Sequence, residues 1–480
     1  MDLTLFTPAS LAPAVAEIWL VCAICALLLV EVFAGVKRPG LTATLTLVAL
    51  AVGAALTVRY GQVPHRVLLF DRTFVADELS VVLKLAGFLF VAVGLLYSRA
   101  YLEHRNIQRG EYYVLVLTAL LGIFVLVSAN SLLTVYIGVE LLALSVYAII
   151  AFDRDNPVAA ESAMKYFVLS AIASGALLYG MSMLYGMTGT LSLDALASGL
   201  HLNSGIILGL VFVVVAVAFK LGVVPFQMWL PDVYEGAPTS VTLFISTVPQ
   251  IAYFALTLRL LTHGLDGATH AWAQMLIPLA VLTLVVGNVV AVVQTNLKRM
   301  LAYSTIGNVG FIVLGFVTGT PAGYSAALYY TLVYVLMVLG SFGVILLASR
   351  KGFEADQLDD YKGLYARDPL LALAMLALMF STAGVPPFVG FWAKLRVIQE
   401  LLATNHAWLA GIAVGTSVIG AFYYLRIVKL MYFDAPAAEP PAPARGAGAV
   451  RFALGINALA VIVLGILPGP LLDLCARLFH

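Results

Sequence analysis

Long apolar runs separated by short polar segments are the feature that most limits how this sequence can fold. A helix needs about 20 consecutive, mostly apolar residues to cross the hydrocarbon core of a bilayer. Runs of this length recur along the chain, and charged residues, Gly or Pro divide them. About fourteen spanning helices are predicted, near residues 11–34, 41–58, 78–98, 112–128, 131–152, 160–185, 205–230, 239–261, 272–295, 300–318, 323–348, 369–399, 407–432 and 452–472. The predicted fold class is therefore an all-α, polytopic membrane protein.

Composition excludes most other classes of protein. Apolar residues make up 62% of the 480 residues and charged residues 11%, whereas a soluble domain typically has about 45–50% and about 25%. A water-soluble globule could not hide this much apolar surface, because much of its surface stays wet. The net charge of +1 gives no basic surface for nucleic acid. We therefore expect the lipid bilayer, and no nucleic acid, as a partner.

Loop charges predict the orientation of the chain. Lys and Arg are concentrated in the cytoplasmic loops of membrane proteins, and most loop Lys and Arg of this chain follow odd-numbered spans. The first run is flanked by Asp2 and Glu17 and has no small-residue cleavage site, so it is predicted to be a retained helix. Both termini are accordingly predicted to lie on the non-cytoplasmic side.

Two proline-broken segments resemble each other. LGVVPFQMWLPD runs from Leu221 to Asp232, and AGVPPFVGFWAKL runs from Ala383 to Leu395. Both contain Gly-Val-x-Pro-Phe followed closely by Trp, and they lie five predicted spans apart. An odd number of spans reverses the second copy in the membrane, which is typical of inverted repeats with discontinuous helices. Because Gly-Pro kinks are common in spanning helices, a chance match is the alternative.

The repeat predicts a division of the chain into four parts. Residues 1–110 would form an N-terminal three-helix segment. Residues 111–270 would form the first five-helix repeat, and residues 271–433 the second, inverted one. Residues 434–480 would hold a Pro/Ala-rich loop, too poor in large apolar residues to pack, and the last helix.

Four ionisable residues are predicted to lie within spans. A charge at the bilayer centre costs at least about 2.5–3.5 kcal/mol, so it suggests a function by default. Glu140 lies in the middle of span five, Lys220 ends an apolar run at the first Pro break, and Lys394 follows the second break. Lys165 lies in the first turns of span six and could instead extend to the interface. We predict proton transfer at all four.

The residue types at these positions suit proton transfer. Burial lowers the pKa of a lysine, and a nearby carboxylate raises it again. Lysines with one carboxylate able to approach or withdraw can therefore load and release protons. The sequence contains no phosphate loop, zinc motif, flavin motif or catalytic triad. Proton or ion transfer is the chemistry that remains, and no metal site is expected.

The segments around these charges resemble the antiporter-like membrane subunits of respiratory complex I. The resemblance covers nearly the whole chain, and long motifs occur in matching order. The most specific pieces are SANSLLTVYIGVELLALSVYAI around Glu140, AAESAMKYFVLSAIASG around Lys165, FKLGVVPFQMWLPDVYEGAPT around Lys220, NLKRMLAYSTIGNVGF around Lys298 and GVPPFVGFWAKL around Lys394. The chain lacks a long carboxy-terminal lateral helix, so it is most similar to the shorter members of that family.

The resemblance implies a role for each charged residue. Glu140 is similar to a span-five carboxylate that pairs with a neighbouring lysine, and Lys165 is similar to the span-six lysine. Lys220 is similar to the central lysine of a broken span seven. Lys394 is similar to the charged residue of a broken span twelve, on the exit side.

Two further residues are candidate members of a proton path. The family often has Lys or His where this chain has Gln250. Gln carries no proton charge, but it can hold water by donating and accepting hydrogen bonds; packing against Pro249 is the alternative. Lys298 lies beside Arg299, and anchoring at the cytoplasmic interface is favoured there over a path role.

The resemblance implies a proton-translocating membrane subunit of an NADH:quinone oxidoreductase in the cell inner membrane. Partner subunits would hold FMN and iron–sulfur clusters and reduce quinone, so this chain is expected to have no cofactor, no quinone site and no redox chemistry. A subunit of a multisubunit Na⁺/H⁺ antiporter is one alternative. A structural subunit of a membrane hydrogenase-type complex is another, although Glu140, Lys220 and Lys394 argue against it.

Overall fold

The computed structural model describes residues 11–34, 40–63, 65–435 and 448–479. Most of the Pro/Ala-rich loop predicted within 434–480 lies outside these residues. The chain folds into two compact units. The first unit comprises Met1–Leu95, Ile107–Val217 and Ile251–Trp272, and the second unit comprises Leu96–Asn106, Ala218–Gln250 and Ala273–His480. The four-part division by repeat stays a prediction.

Helices dominate the described residues, as the apolar runs predict. The α-helices are α1 Val15–Ala34, α2 Leu41–Tyr60, α3 Glu78–His104, α4 Gly110–Val127, α5 Leu132–Ile150, α6 Pro157–Thr188, α7 Leu193–Gly199, α8 Ser204–Leu221, α9 Trp229–Gly236, α10 Thr239–Thr257, α11 Thr269–Val292, α12 Leu297–Val317, α13 Pro321–Ala348, α14 Leu364–Arg367, α15 Pro369–Ala383, α16 Val389–Ala403, α17 Ala407–Tyr432, α18 Gly448–Ile466 and α19 Gly469–Arg477. A π-helical segment, Leu258–Gly264, continues α10. Single 3₁₀ turns lie at Ala12–Ala14, Asp266–Ala268 and Leu358–Tyr361.

Thirteen helices of the described ranges are long and apolar enough to cross a membrane. They correspond to thirteen of the predicted spans. The remaining predicted span, 369–399, is divided into α15 and α16. The all-α, polytopic fold class and the two discontinuous helices are thus confirmed, whereas the inverted five-helix arrangement stays a prediction.

Two predicted spans end in the wrong place. The span predicted at 205–230 stops at Leu221, because Gly222 takes a left-handed φ of 79° and the chain leaves the helix there. The span predicted at 452–472 is α18, which ends at Ile466; a separate helix, α19, then begins at Gly469 with Pro in its first turn. The sequence predicts a Pro break close to the first of these ends, but apolar residues on both sides of each break leave the exact last residue of the helix undetermined.

A short hairpin in the first unit fixes the start of α5. Strand β1, Val67–Leu69, pairs antiparallel with β2, Phe74–Ala76. The amide of Val75 donates to Ser128 O at 2.8 Å, and the amide of Asn130 donates to Thr73 O at 2.9 Å. The hairpin therefore holds the segment that leads into α5, the helix that carries Glu140.

Hydrogen-bonded side chains connect the loops of the first unit near this hairpin. Asn130 accepts from Arg66 at 2.9 Å and donates to Asp194 at 3.0 Å, and Arg66 lies 2.7 Å from Asp194. Burial by itself would raise the pKa of Asp194, but the hydrogen bonds from Asn130, Arg66 and His263 lower it to about 2. The carboxylate therefore stays ionised and keeps these loops together at neutral pH.

Candidate proton-transfer site

The first helix break lies between α8 and α9, and its freed backbone groups have partners. The carbonyl of Phe219 accepts from the Trp229 indole at 3.0 Å and from the Gly222 amide at 3.1 Å. The amide of Val224 donates to the Thr283 hydroxyl at 3.0 Å. Irregular backbone at membrane depth requires such partners, because lipid supplies none. The break is therefore a stable feature of the folded chain.

Lys220 occupies the last turn of α8, directly before this break. Its side chain is 1% exposed, and its ammonium lies 6.0 Å from the centre of the Phe219 ring. A cation at a helix C-terminus is favoured by the carbonyl dipoles that end there. The structure places this ionisable residue inside the protein at the first break, and its role in proton transfer stays a prediction.

The second break, between α15 and α16, is built around Lys394. Its amine donates to Ala383 O, the last carbonyl of α15, at 2.9 Å, and lies 5.5 Å from the centre of the Phe311 ring. Gly384 has a left-handed φ of 87°, and a Cβ there would come within 2.8 Å of Lys394 Cδ. Only glycine therefore leaves room for the lysine to reach the broken helix end.

The shared residues of the two segments take similar positions at the two breaks. Gly222 and Gly384 both adopt a left-handed conformation where the first half-helix ends. Trp229 and Trp392 both donate through Nε1 to a backbone carbonyl, at 3.0 Å and 2.8 Å. The likeness predicted from sequence therefore extends to backbone geometry. Each break carries one lysine, Lys220 before the first and Lys394 after the second.

Lys298 and Arg299 hold the second half of the first broken helix. Lys298 is 3% exposed, and its amine donates to Ala237 O, the carbonyl that follows α9, at 2.9 Å. Arg299 pairs with Asp232 at 2.9 Å and with Glu235 at 2.7 Å. Lys298 is therefore buried, whereas an interfacial anchor would extend its amine to water.

Gln250 lies within α10 and is 2% exposed. Its Oε1 is buried and accepts no hydrogen bond from any described residue. Buried acceptors in native proteins nearly always have a partner, either a protein group or an ordered water. The unpartnered acceptor is therefore consistent with the water-holding role, and less so with packing against Pro249.

A hydroxyl network in the second unit was only partly visible in the sequence. The Ser304 and Tyr424 hydroxyls lie 2.5 Å apart, and Asn308 donates to Ser304 O at 2.8 Å and accepts from Tyr330 at 2.8 Å. The Tyr330 ring stacks on Phe311, the ring beside Lys394. Ser304, Asn308 and Phe311 share one face of α12, because they are spaced four and three residues apart. Helix spacing could have suggested Asn308; Tyr330 required the fold.

Glu140 lies on α5 in the first unit. Its side chain is partly buried, and Oε1 is enclosed without a hydrogen-bond donor among the described residues. Tyr136 lies one turn earlier on the same face. Farther along α5, the Tyr147 ring packs on Tyr166 and Phe167 at centroid distances of 5.2 Å and 5.3 Å. Oε1 of the carboxylate is thus a buried acceptor without a described donor, on a helix that also carries aromatic side chains.

Lys165 is placed differently from the other predicted lysines. It lies on the outer face of α6, with its side chain 45% exposed, and its amine is 2.9 Å from a carboxylate oxygen of Glu161. Apolar neighbours on α6, Met164, Phe167 and Val168, are also exposed. Lys165 therefore faces outward from the first unit; the sequence predicts it in the first turns of span six, with extension to the interface as the alternative.

Sequence reasoning missed a buried ion pair in the first unit. The Lys84 amine on α3 lies 2.7 Å from Oε1 of Glu17 on α1, and these side chains are 2% and 11% exposed. The amine also lies 5.0 Å from the centre of the Phe74 ring. The available signal was a lysine inside an apolar run. Only the packing of α1 against α3 reveals its partner.

Metal ligands are not grouped in the part of the chain that the structure describes: no three His, Cys, Asp or Glu side chains lie together there. Cys22 and Cys25, both exposed on α1, are free thiols.

Comparison with known proteins gives consistent matches. The family model described as "NADH:quinone oxidoreductase/Mrp antiporter, TM" matches residues 129–420. NADH-quinone oxidoreductase subunit N of Thioalkalivibrio sulfidiphilus is 53% identical, over 96% of this chain and 97% of that protein. The protein of the same name in Thiobacillus denitrificans is 52% identical, over 97% of each chain.

Solved structures agree in fold. A chain of respiratory complex I from Thermus thermophilus with bound aureothin is 32% identical, with a TM-score of 0.81 over 96% of this chain and 99% of that chain. A chain of the Mrp complex from Dietzia sp. DQ12-45-1b has a TM-score of 0.85 over 98% of this chain and 97% of that chain, at 23% identity. At that identity the second likeness shows the fold alone.

Proposed function

We infer the function of this chain from its family: the chain belongs to the family of NADH-quinone oxidoreductase subunit N, since it aligns with members of that name over nearly its whole length. It is a subunit of a membrane hetero-oligomer, a multi-pass protein of the bacterial inner membrane and part of a translocase. We propose that it conducts protons across that membrane while partner subunits transfer electrons from NADH to quinone.

The observation that carries this proposal is the pair of lysines at the helix breaks. Lys220 and Lys394 each lie beside a broken helix end, and the Lys394 amine already binds the last carbonyl of its half-helix. Intramembrane lysines of this kind are costly to keep charged, so they exchange protons readily. Moving one charge against 100 mV requires about 2.3 kcal/mol. The energy therefore comes from outside this chain.

The proposed path through the second unit uses Lys220, Gln250, Lys298 and Lys394. All four belong to that unit. Gln250 contributes a buried acceptor that suits water. The hydroxyl and amide groups on α12, α13 and α17 both donate and accept, as a proton relay requires.

Glu140 and Lys165 belong to the proposed path in the first unit. The Glu161–Lys165 pair lies among exposed apolar side chains on α6. Charges facing hydrocarbon are rare and expensive. We propose that a neighbouring membrane subunit covers this face and shields the pair from lipid.

The finer points of the proposal follow from the same family membership. FMN and iron–sulfur clusters belong to partner subunits, and this chain performs no redox chemistry. Both termini lie on the non-cytoplasmic side, as the loop charges predict.

Purification of the native complex tests this function. An affinity tag on the chain should recover FMN, iron–sulfur clusters and NADH-driven quinone reduction from native membranes in mild detergent. In proteoliposomes, NADH oxidation should drive proton uptake or release without added Na⁺. Recovery of membrane subunits alone, together with Na⁺/H⁺ exchange that needs no NADH, would instead establish the antiporter alternative.

A further inference from the structure

A groove on the second unit lies apart from all the residues assigned to the path. Its volume is about 300 Å³, and its walls are formed by α15, α18 and the end of α13. The lining is almost entirely Leu, Ala and Ile, and Gly455 contributes no side chain to the α18 wall. Asp368 and Arg451 are the charged residues of the lining.

The groove is about as long, measured along α18, as the hydrocarbon part of one lipid leaflet is thick. Along α18, Arg451, Gly455, Ala458 and Ile462 all line it, and their spacing places them on one helix face. Arg451 and Ile462 are separated by about 16 Å at 1.5 Å per residue, about half of the ~30 Å hydrocarbon core. The apolar part therefore runs from the end of the span, where a headgroup lies, to mid-membrane.

The charged end carries one positive and one negative group. Arg451 Nη2 lies 2.6 Å from a carboxylate oxygen of Asp368, and the two side chains are 42% and 18% exposed. The other carboxylate oxygen of Asp368 caps α15 by accepting from the Leu371 amide at 3.2 Å. A guanidinium has five N–H donors and binds phosphate in a bidentate manner. The pair is neutral overall, so its charges match a headgroup that is neutral and carries both signs.

We propose that this groove binds one acyl chain of a phospholipid with a phosphoethanolamine headgroup. The phosphate would lie on Arg451 and the primary ammonium beside Asp368. An ammonium with N–H groups can donate to the carboxylate, whereas a quaternary choline has no such donor. An anionic glycerol headgroup offers no ammonium to Asp368, and its net negative charge would be repelled by that carboxylate.

Photolabelling of the intact complex tests the acyl-chain site. The complex is placed in nanodiscs with phosphatidylethanolamine that carries a diazirine on one acyl chain, and labelled peptides are identified by mass spectrometry. The α15 and α18 peptides should be labelled. Gly455→Leu should place apolar atoms in the groove; a Cβ at this position meets no atom within 4 Å. Labelling of α15 should then fall by about tenfold, the loss expected when a buried chain contact is blocked.

Gly415→Leu is the matched control. Gly415 lies on α17, is exposed and also has open space around a new Cβ, so this variant should keep wild-type labelling. Unchanged labelling in Gly455→Leu would overturn the acyl-chain site. Absence of α15 and α18 labelling in the wild-type complex would overturn it too, since another subunit then covers the groove.

Headgroup selectivity is tested in the same assay. Arg451→Gln should lower phosphatidylethanolamine labelling by about tenfold, as expected for the loss of a charged hydrogen bond. Asp368→Asn retains the helix cap and should remove the preference for phosphatidylethanolamine over phosphatidylcholine and phosphatidylglycerol. Equal labelling by the three lipids in the wild-type complex would refute the headgroup assignment.

Discussion

Gln250 tests the proton path at the scale of a single residue. Its buried Oε1 has no hydrogen-bond donor among the described residues, so a water is expected there. Gln250→Leu keeps the volume but removes donor and acceptor, and pumping should fall by about tenfold, equivalent to about 1.4 kcal/mol. Gln250→Lys restores a titratable group and should remain active, with a shifted pH profile. Pumping rates at matched complex content decide; an active Leu variant with an inactive Lys variant would mean that Gln250 only packs.

Glu140 should act through its charge. A carboxylate favours the protonated form of a nearby lysine. Oε1 of Glu140 accepts no hydrogen bond from a described residue. Glu140→Asp keeps the charge and should retain part of the pumping activity, whereas Glu140→Gln should lose most of it. Coupled quinone reduction and proton transfer are measured together in both variants. Equal activity of the two would show a hydrogen-bonding or packing role.

Residue positions were easier to predict than their partners. Lys220 and Lys394 could be identified because charges are rare inside apolar runs and each lies at a Pro break. The Lys298 contact with Ala237 O, the outward position of Lys165 and the Glu17 partner of Lys84 depend on which helices pack together. No local sequence pattern encodes those contacts.

At the scale of elements, the second break depends on a glycine. Gly384→Ala introduces a Cβ at a left-handed φ and within 2.8 Å of Lys394 Cδ, so the lysine side chain must shift from its position beside the α15 carbonyl. We expect a destabilisation of about 1–2 kcal/mol from the backbone alone and a clear loss of pumping. Gly411→Ala on α17, where a new Cβ meets no atom within 4 Å, is the control. Wild-type pumping in Gly384→Ala would show that Lys394 needs no fixed position.

The ion pair between α1 and α3 should stabilise their packing. Removing one member of a buried pair typically costs about 3–5 kcal/mol, because the other charge is left unpaired, while removing both costs much less. Lys84→Met and Glu17→Gln should each lower the yield of assembled complex. The double variant should recover most of it. Thermal stability of the purified complexes measures the coupling, and additive losses would show that the two residues act independently.

Helix identity was predictable at this scale, and helix ends were not. Apolar length predicted the thirteen described helices that are long enough to cross a membrane, because the bilayer fixes the length of a crossing helix. The Pro break after α8 was predictable, but the exact ends of α8 at Leu221 and of α18 at Ile466 were not, since apolar residues follow both. Backbone conformation at Gly222 and the Pro-containing start of α19 set those ends.

At the scale of the whole molecule, each compact unit holds polar or ionisable groups that the proposed proton path uses. The first unit contains Glu140 and Lys165, and the second contains Lys220, Gln250, Lys298 and Lys394. The proposed function connects these groups to electron transfer in partner subunits. The family itself was predictable because long motifs surround each charge, whereas the hydroxyl network on α12 required the fold.

Proton pumping by a Lys220→Ala complex tests the central claim most directly. The complex is purified with its full set of subunits, reconstituted into proteoliposomes, and assayed for protons transferred per NADH oxidised. Lys351→Ala, at an exposed loop lysine, is the control and should pump normally. We predict that Lys220→Ala assembles, reduces quinone more slowly and pumps no protons through this subunit, lowering the ratio. A wild-type ratio and rate in a fully assembled Lys220→Ala complex would contradict the account.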